Sequence, residues 1–396
     1  MKSTLDLIGR ESPLFDSDIQ NHEKTLSEII ADSSFLVIGA AGSIGQAVSK
    51  EIFKRSPKLL HCIDLSENNL VELVRDLRSS IGYIKGEFRT FAIDAGSEEF
   101  MHMIESCGPY DFILNLSALK HVRSEEDPHT LMRMIKVNIF NTEQNILAAK
   151  EMNSRKYFCV STDKAANPVN MMGATKRIME LFLSHYSKDI NISTARFANV
   201  AFSDGSLLSG FAERIKKIQP ISAPNDVRRY FLTPQESGEL CILSCLIGNN
   251  RDIFFPKLDE NSHLITFSDI AIKYLNNLGY KPYICSSEEE ARLEIDSLIR
   301  SNQWPCYFSQ SNTTGEKDFE EFFENNDILN ISRFIGIGVI ESNLSSEKKD
   351  LDLFKEEILT MLKNGKYSKQ SILTIFKKIL PKFEHIEKGI YLDSKM

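Results

Sequence analysis

The sequence predicts an α/β fold: a doubly wound parallel sheet with a smaller C-terminal region and helical extensions. Three observations carry this expectation. Apolar runs of strand length alternate with helical patterns from residue 35 to residue 197. The connections between them are short, so the strands must run parallel and be joined by right-handed crossovers. The first run also leads at once into a glycine-rich turn, Gly39-Ala40-Ala41-Gly42-Ser43-Ile44-Gly45, ahead of a helix. Past residue 200 the alternation weakens, and past residue 340 the chain becomes rich in Lys and Glu. These shifts divide it into an N-terminal arm (1–33), a main domain (34–200), a smaller region (201–340) and a helical tail (341–396).

Composition narrows the function classes. A chain of 396 residues can bury a large core, and 42% hydrophobic with 26% charged residues is ordinary for a soluble globular protein. A formal charge of -8 argues against a nucleic-acid binder with a broad basic face. It leaves room for a phosphorylated small molecule held by one or two local cations. The 7 cysteines are scattered and form no paired zinc-ligand set, so no metal site is expected and buried free thiols are. No apolar run approaches the ~20 residues that span a bilayer, and the polar N-terminus lacks a signal-peptide core. The expectation is a cytoplasmic protein without membrane insertion.

Taken in order, residues 1–33 show weak helical periodicity around Leu26, Ile29 and Ile30, which suits an accessory arm or helix. Phe35–Ile38 reads as a buried strand. Gly39, Gly42 and Gly45 then permit a tight turn, close backbone approach to a pyrophosphate and close helix packing. The helix opening at Ser43 and Ile44 offers unpaired N–H groups to the phosphates. Strand, turn and helix together predict a dinucleotide site and a sheet of Rossmann type. The next strand, Leu59–Ile63, ends in Asp64, where a carboxylate accepts hydrogen bonds from the adenosine ribose. An acid there repels a 2′-phosphate, and no arginine follows in Leu65-Ser66-Glu67, so NAD is expected rather than NADP. The third strand, Phe88 to Ile93, ends at Asp94-Ala95. Asp94 meets the adenine, caps the Ser97–Ile104 helix, or does both. After the fourth strand, Phe112–Leu116, the small residues Ser117 and Ala118 let the nicotinamide half lie close to the backbone. Lys120 and His121 follow at the crevice or its rim, with His121 read as structural. Val137-Asn138 is a packing and hydrogen-bonding position beneath the cofactor.

Tyr157–Val160 is another buried strand. The polar stretch Ser161 to Lys176 follows it, and a helical pattern covers Arg177–Tyr186. A hydroxyl (Thr162), a carboxylate (Asp163) and an amine (Lys164) therefore stand in succession at a strand's C-terminal end, where open parallel sheets line their ligand crevice. A second amine, Lys176, enters the helix. Alone, the stretch reads equally as a polar loop with an Asn-Pro turn. Strand Ile192–Phe197 leads to Ala198–Ser203, and a helix runs from Gly205 to Lys217. Arg228-Arg229 beside Tyr230 and Phe231 suits a diphosphate with a packed base, or a solvated charge pair. Helix Pro234–Leu246 and strand Ile253–Phe255 come next. Trp304–Phe308 is a short strand, followed by the loop Thr313–Lys317 and an expected acidic helix, Asp318–Asn325, without assigned chemistry. Periodicity through Leu351, Phe354, Ile358 and Leu362, then Ile372, Ile375 and Ile379, predicts a helical appendage or oligomer contact.

Four places together resemble one family: Gly39–Gly45; Ala118-Leu119-Lys120-His121-Val122; Ser161-Thr162-Asp163-Lys164-Ala165 with Asn167-Pro168 and Gly173-Ala174-Thr175-Lys176; and Arg229-Tyr230-Phe231-Leu232-Thr233. They resemble the extended short-chain dehydrogenase/reductase superfamily, and within it the UDP-N-acetylglucosamine 4,6-dehydratases of the polysaccharide-biosynthesis group. The resemblance spans roughly residues 35–260. Thr-Asp-Lys-Ala followed by Asn-Pro is its most specific part, and Trp304–Phe323 looks like the C-terminal part of soluble members. One departure stands out. The superfamily's tyrosine, four residues before the lysine, is Met172 here, and methionine cannot exchange a proton. The chain is then either a nucleotide-binding dead enzyme or a member of the branch that carries methionine naturally.

The resemblance implies a three-step 4,6-dehydration in which NAD+ takes the hydride from sugar C4 and returns it to C6. It assigns Lys164 as the C5 base and Asp163 as the acid for the C6 hydroxyl. It places Lys176 on the nicotinamide ribose; with the tyrosine absent, Thr162 or a water held by it is the candidate relay for the C4 proton. An amine base requires its pKa to be lowered by burial, and a proton-donating Asp163 requires the opposite shift. It implies cofactor contacts at Gly39, Gly42, Ser43, Ile44, Gly45, Asp64, Asp94, Ala95, Leu116, Ala118 and Lys120. Lys120, Thr162, Asn199 and Arg229 would hold UDP-N-acetylglucosamine or a related UDP-sugar. It favours retention at C5, a role in bacterial cell-surface amino sugars and a homo-oligomer. A UDP-hexose 4-epimerase is the competing enzyme, disfavoured by Met172. A non-catalytic NAD-linked nucleotide-sugar sensor is the competing class.

Overall fold

In the computed structural model, which describes residues 3–391 except Glu316 and Asp318, six strands follow one another through the first half of the chain. They are β1 (Ser34–Ile38), β2 (Leu59–Asp64), β3 (Glu87–Ala92), β4 (Phe112–Asn115), β5 (Lys156–Thr162) and β6 (Ile192–Phe197). In space they run 3-2-1-4-5-6, and every neighbouring pair is parallel. Asp252–Pro256 adds a further parallel strand beside β6, and antiparallel Ile337–Glu341 and Leu329–Asn330 complete a 9-stranded sheet. The order reverses between β1 and β4, and ligands of such sheets bind at that switch point. The expected doubly wound parallel sheet is therefore the observed one.

Burial explains which runs became strands. β1, Ser-Phe-Leu-Val-Ile, is buried from Phe35 onward, and Phe35 stacks on Phe112 of β4 with ring centroids 5.2 Å apart. Strands covered on both faces read as continuous apolar runs. β3 at the sheet edge is partly exposed along its whole length, and its sequence alternates accordingly. Helix Ser43–Phe53 and helix Pro234–Ile247 bury Val48, Ile52, Leu240 and Leu243 in one apolar cluster with β1 residues. Met179 and Leu183 of helix Met171–Tyr186 join a second cluster with Leu36 and Ile38.

That last helix starts at Met171, earlier than the periodicity from Arg177 suggested. Asn170 caps it by accepting the Gly173 N–H at 2.8 Å. Residues Met171 to Lys176 are all buried, so no amphipathic stripe marks them. The cap expected of Asp94 is supplied by Ser97, whose side chain accepts from Phe100 N, while Asp94 binds the Gly96 N–H at 2.9 Å.

The smaller region has its own core. A 3-stranded parallel sheet, Lys281–Ile284, Gln303–Ser309 and Ile221–Pro224, packs Trp304 and Ile221 against Phe211, Phe231 and Ile270. The N-terminal helix Asp16–Ala31 and the tail helices pack against the main domain. Helix Asp16–Ala31 places Leu26 and Ile30 in the main core, and Asp18 accepts the N–H groups of Ile335 and Gly336 at 2.7 Å each. The tail helices Lys348–Asn364 and Lys369–Ile379 turn their apolar stripe inward. Phe354, Ile358, Ile372 and Phe376 cluster there with Met172, Ile178 and Phe182. At the tail's base, Glu125 accepts the Met171 N–H at 2.5 Å and the His385 ring nitrogen at 2.8 Å. Lys369 lies in this cluster as an internal cation, paired with Glu125 and Glu387.

The acidic helix expected from Asp318 to Asn325 does not form over its described residues; 319–325 contain only bends and turns. Its aromatics are drawn instead to the sheet. Phe322 stacks on Phe255 at 6.0 Å and packs on Tyr230 at 5.7 Å, and its carbonyl accepts from Arg196. Tertiary contact here outweighs a helical pattern. All seven cysteines are free, and all but the half-buried Cys107 are buried. Among the described residues no helix is long and apolar enough to cross a membrane.

Candidate functional site

The glycine turn closes the switch point from one side. Gly39 has φ +76°, and a Cβ there would lie 2.7 Å from Ser117 N. A Cβ on Gly45 would lie 2.0 Å from Gly39 O, so the protein itself demands both glycines. Gly42 differs. Its φ is ordinary, and an added Cβ would meet nothing nearer than Gly39 O at 3.6 Å. Packing leaves its bare face open at the head of helix Ser43–Phe53, where a pyrophosphate would need close backbone approach. Asp64 ends β2 beside the turn, with Oδ2 accepting Ala41 N at 3.0 Å and Oδ1 accepting Ser66 N at 2.9 Å. These residues fit a dinucleotide.

Other expected contacts fall around this turn. Ala95 is buried with Ile38 and Ile63. Leu116 donates its N–H to Ile38 O at 2.8 Å. Asn138 fixes the following loop, accepting from Leu119 N and donating to Leu119 O, each at 3.0 Å. Ala118 is half-buried on that loop, and Lys120 is exposed at its end with Asp204 as a nearby counter-charge. Ser43 does more than line the turn, since its hydroxyl accepts the Asp204 N–H at 2.8 Å. Ile44 packs against the main core.

The acid–base group stands at the end of β5. Asp163 Oδ1 accepts from Thr162 Oγ1 at 2.8 Å, from the Lys164 N–H at 2.8 Å and from Lys164 Nζ at 3.1 Å. Lys176, 3% exposed, donates to the Val160 carbonyl at 3.0 Å, and burial lowers its pKa. Met172 is buried in the apolar cluster shared with the tail. Asn199 pairs with Phe231 in a short parallel ladder, and its buried Nδ2 has no hydrogen-bond partner among the described residues. An orphaned buried donor is open to an ordered water or a ligand group. Arg229, 5% exposed, donates to its neighbour's carbonyl at 2.8 Å and to Lys317 O at 3.0 Å.

Burial pulls the Lys164 pKa down, as anticipated, but Asp163 and a second carboxylate, Glu320, outweigh it and hold the amine raised. Glu320 Oε1 is 3.8 Å from Lys164 Nζ, and its side chain is 2% exposed. Sequence reasoning missed Glu320, because nothing in the run of Phe and Glu from 319 to 324 marks which acid turns inward. It also missed Glu180, whose Oε1 accepts the Ser161 hydroxyl at 2.7 Å and whose carboxylate takes both arms of Arg196 at 2.8–2.9 Å. Burial works to raise the Glu180 pKa, but Arg196 and Arg177 override it and hold the group at about 2.

The family described as Polysaccharide biosynthesis protein matches residues 35–300. An uncharacterized membrane protein, MJ1061, of Methanocaldococcus jannaschii is 30% identical over 65% of this chain and 76% of its own. The capsular polysaccharide biosynthesis protein CapD of Staphylococcus aureus is 26% identical over 93% of this chain, which spans only 56% of CapD. A UDP-N-acetylglucosamine 4,6-dehydratase (inverting) of Campylobacter jejuni is 27% identical over 63% of this chain and 72% of its own. Among solved structures, Pen from Bacillus thuringiensis superimposes with a TM-score of 0.65 at 22% identity, covering 81% of this chain and 90% of Pen, a likeness of fold.

Proposed function

This chain belongs to the polysaccharide biosynthesis protein family, and on that premise we propose that it dehydrates UDP-N-acetylglucosamine in an NAD-dependent reaction. The product is a UDP-4-keto-6-deoxy-N-acetylhexosamine with C5 configuration retained. The observation that carries the reading is the Thr162–Asp163–Lys164 group, gathered on one carboxylate oxygen at the end of β5. It stands beside the switch point where Gly42 leaves room for a dinucleotide.

When bound, NAD would accept a hydride from C4 and give it back at C6. Gly39, Gly42, Ser43, Ile44 and Gly45 would carry its phosphates, and Asp64 its adenosine ribose. Asp94 and Ala95 would flank the adenine, Leu116 and Ala118 would back the nicotinamide half, and Lys176 would hold its ribose. The Asp64 charge selects NAD over NADP by repelling a 2′-phosphate. In this reading Lys164 takes the C5 proton once oxidation at C4 has made it acidic, and Asp163 gives a proton to the departing C6 hydroxyl. Thr162, bonded to Asp163, relays the C4 hydroxyl proton that a tyrosine would otherwise take. Lys120, Asn199 and Arg229 hold the UDP-sugar, and the orphaned amide of Asn199 supports that placement. The buried, apolar setting of Met172 suits a thioether and leaves the Asp-Lys pair as the acid–base machinery, which favours dehydration over epimerisation.

Incubation of the protein with UDP-N-acetylglucosamine in deuterated water tests the reading. A 4-keto-6-deoxy product with deuterium at C5 is expected, and its NMR couplings report the configuration. Formation of UDP-N-acetylgalactosamine would assign epimerisation instead, and unchanged sugar would assign a binding role.

A further inference from the structure

The strap from Thr313 to Asp327 enters the acid–base group from late in the chain, and its course is fixed by contacts along its described residues. Gly315, at φ +69°, passes so close over Asn170 that an added Cβ would lie 2.6 Å from the Asn170 Cβ. Asn170 Nδ2 donates to Gly315 O at 2.9 Å, and Gly315 N donates to Ile386 O at 2.9 Å. Lys317 gives its amine to Asn167 O at 2.6 Å and its carbonyl to Arg229. Beyond it, Arg196 donates to Phe322 O at 2.8 Å, and Asn167 donates to Glu321 at 2.9 Å. Between these anchors stands Glu320, enclosed, with Oε1 3.8 Å from Lys164 Nζ and Oε2 4.0 Å from Lys317 Nζ.

A carboxylate in that position is costly unless its charge is used. Burying an ion costs several kcal/mol in desolvation, and only a close opposite charge offsets it. Lys317 is the farther and weaker partner. Exposed neighbours such as Glu321 show that the strap can tie down to the catalytic loop without burying an acid. The charged groups facing Lys164 are Asp163 from its own turn, Glu320 from the strap and Arg229 from the short strand Arg228–Arg229. Asp163 is committed to Thr162 and to the backbone of Lys164 as well as to the amine. Among the described residues Glu320 makes no hydrogen bond to that turn, and it meets the turn's amine only as an ion pair.

We propose that Glu320 is a positioning residue for Lys164: from the strap it steers the amine and sets the pH at which that amine becomes a free base. It rests on the reading of Lys164 as the C5 base. Removing a carboxylate beside an amine weakens the ammonium form, and a single such neighbour moves an amine's titration by about one pH unit or more. In Glu320→Gln the ascending limb of kcat against pH therefore moves acidward by about one pH unit, KM for UDP-N-acetylglucosamine is unchanged, and Glu320→Asp moves the limb part of the way back. A limb that stays in place in Glu320→Gln, with the protein folded by circular dichroism, overturns the proposal. Competitive acetylation with acetic anhydride, read on the Lys164 peptide by mass spectrometry without substrate, gives the second measurement. The labelling midpoint of Lys164 moves acidward by a similar amount in Glu320→Gln, and an unmoved midpoint overturns the link. If the wild type fails to turn over UDP-N-acetylglucosamine, the proposed reaction falls, while the labelling midpoint still decides whether Glu320 governs Lys164.

Discussion

The glycine turn and the acid–base group stand two strands apart in the same sheet, at the ends of β1 and β5, and they are built in opposite ways. The turn is made of neighbours. Gly39 and Ala40 donate to Ile63 O, Leu116 donates to Ile38 O, and Asp64 accepts from Ala41. Its fit depends on missing atoms, the absent side chains of Gly39, Gly42 and Gly45. The acid–base group is made of charges gathered from far apart: Asp163 and Lys164, Arg229, and Lys317 and Glu320 from the strap. A surface made by omission is marked in the sequence by its glycines. A balance of buried charge is specified by everything that folds onto it, and it is correspondingly easy to disturb.

That contrast can be broken experimentally, beginning with the largest effect. Lys164→Met removes the proposed base and is expected to lower turnover about a thousand-fold, within the range that general base catalysis supplies. NAD affinity by titration should stay unchanged, because the turn shares no hydrogen bond with Lys164; a parallel loss of NAD binding would show that the two halves are not separable.

The next effect is on acid stability. The Glu180 carboxylate is held at about 2 in the folded protein against an ordinary value near 4.5, so its pairing stabilises fully above that ordinary value. The contribution is lost as pH falls from about 5 towards 2. Melting curves across this window should fall more steeply for the wild type than for Glu180→Gln, which gives up the pair at every pH. At pH 7 the variant should be less stable by about 3 kcal/mol, since the buried Arg196 loses its bidentate partner and keeps only Asp327, at 3.8 Å, as an ion pair. Identical slopes would remove Glu180 from the balance.

The smallest effect is on the side of the turn. Asp64→Asn keeps the shape and deletes the charge, and should narrow the preference for NAD over NADP by about tenfold, the scale of one partly screened like-charge contact. Dissociation constants for the two cofactors check this, and an unchanged ratio would place the discrimination elsewhere.

What could be read in the sequence follows the same division. The parallel sheet, the turn and the Thr162-Asp163-Lys164 succession were legible, because each is a short string whose meaning comes from the strand before it. The start of helix Met171–Tyr186 was not, because a helix buried on every side in its first turns shows no stripe. The segment after Asp318 misled for a related reason. Phe319, Phe322 and Phe323 carry helical spacing, yet Phe322 is committed to Phe255 and Tyr230, and the backbone follows it. The charge state of Lys164 was the hardest to read. Burial alone predicts a lowered pKa, and the raised direction comes from Asp163 together with Glu320, whose approach no local pattern announces.

The strap also bears on the order in which the molecule comes together. A contact between Lys164 and Glu320 closes a long loop, and loop-closure entropy must be met before such a contact gives anything back. It is met when Gly315 settles over Asn170 and the backbone of Thr314 and Gly315 bonds to Ile390 and Ile386. The sheet and its turn need none of those residues. The contact between Lys164 and Glu320 therefore depends on a part of the chain that the sheet and its turn do not. Through its bonds to Thr314 and Gly315 the tail acts as a remote clasp, holding in place the acid that faces Lys164.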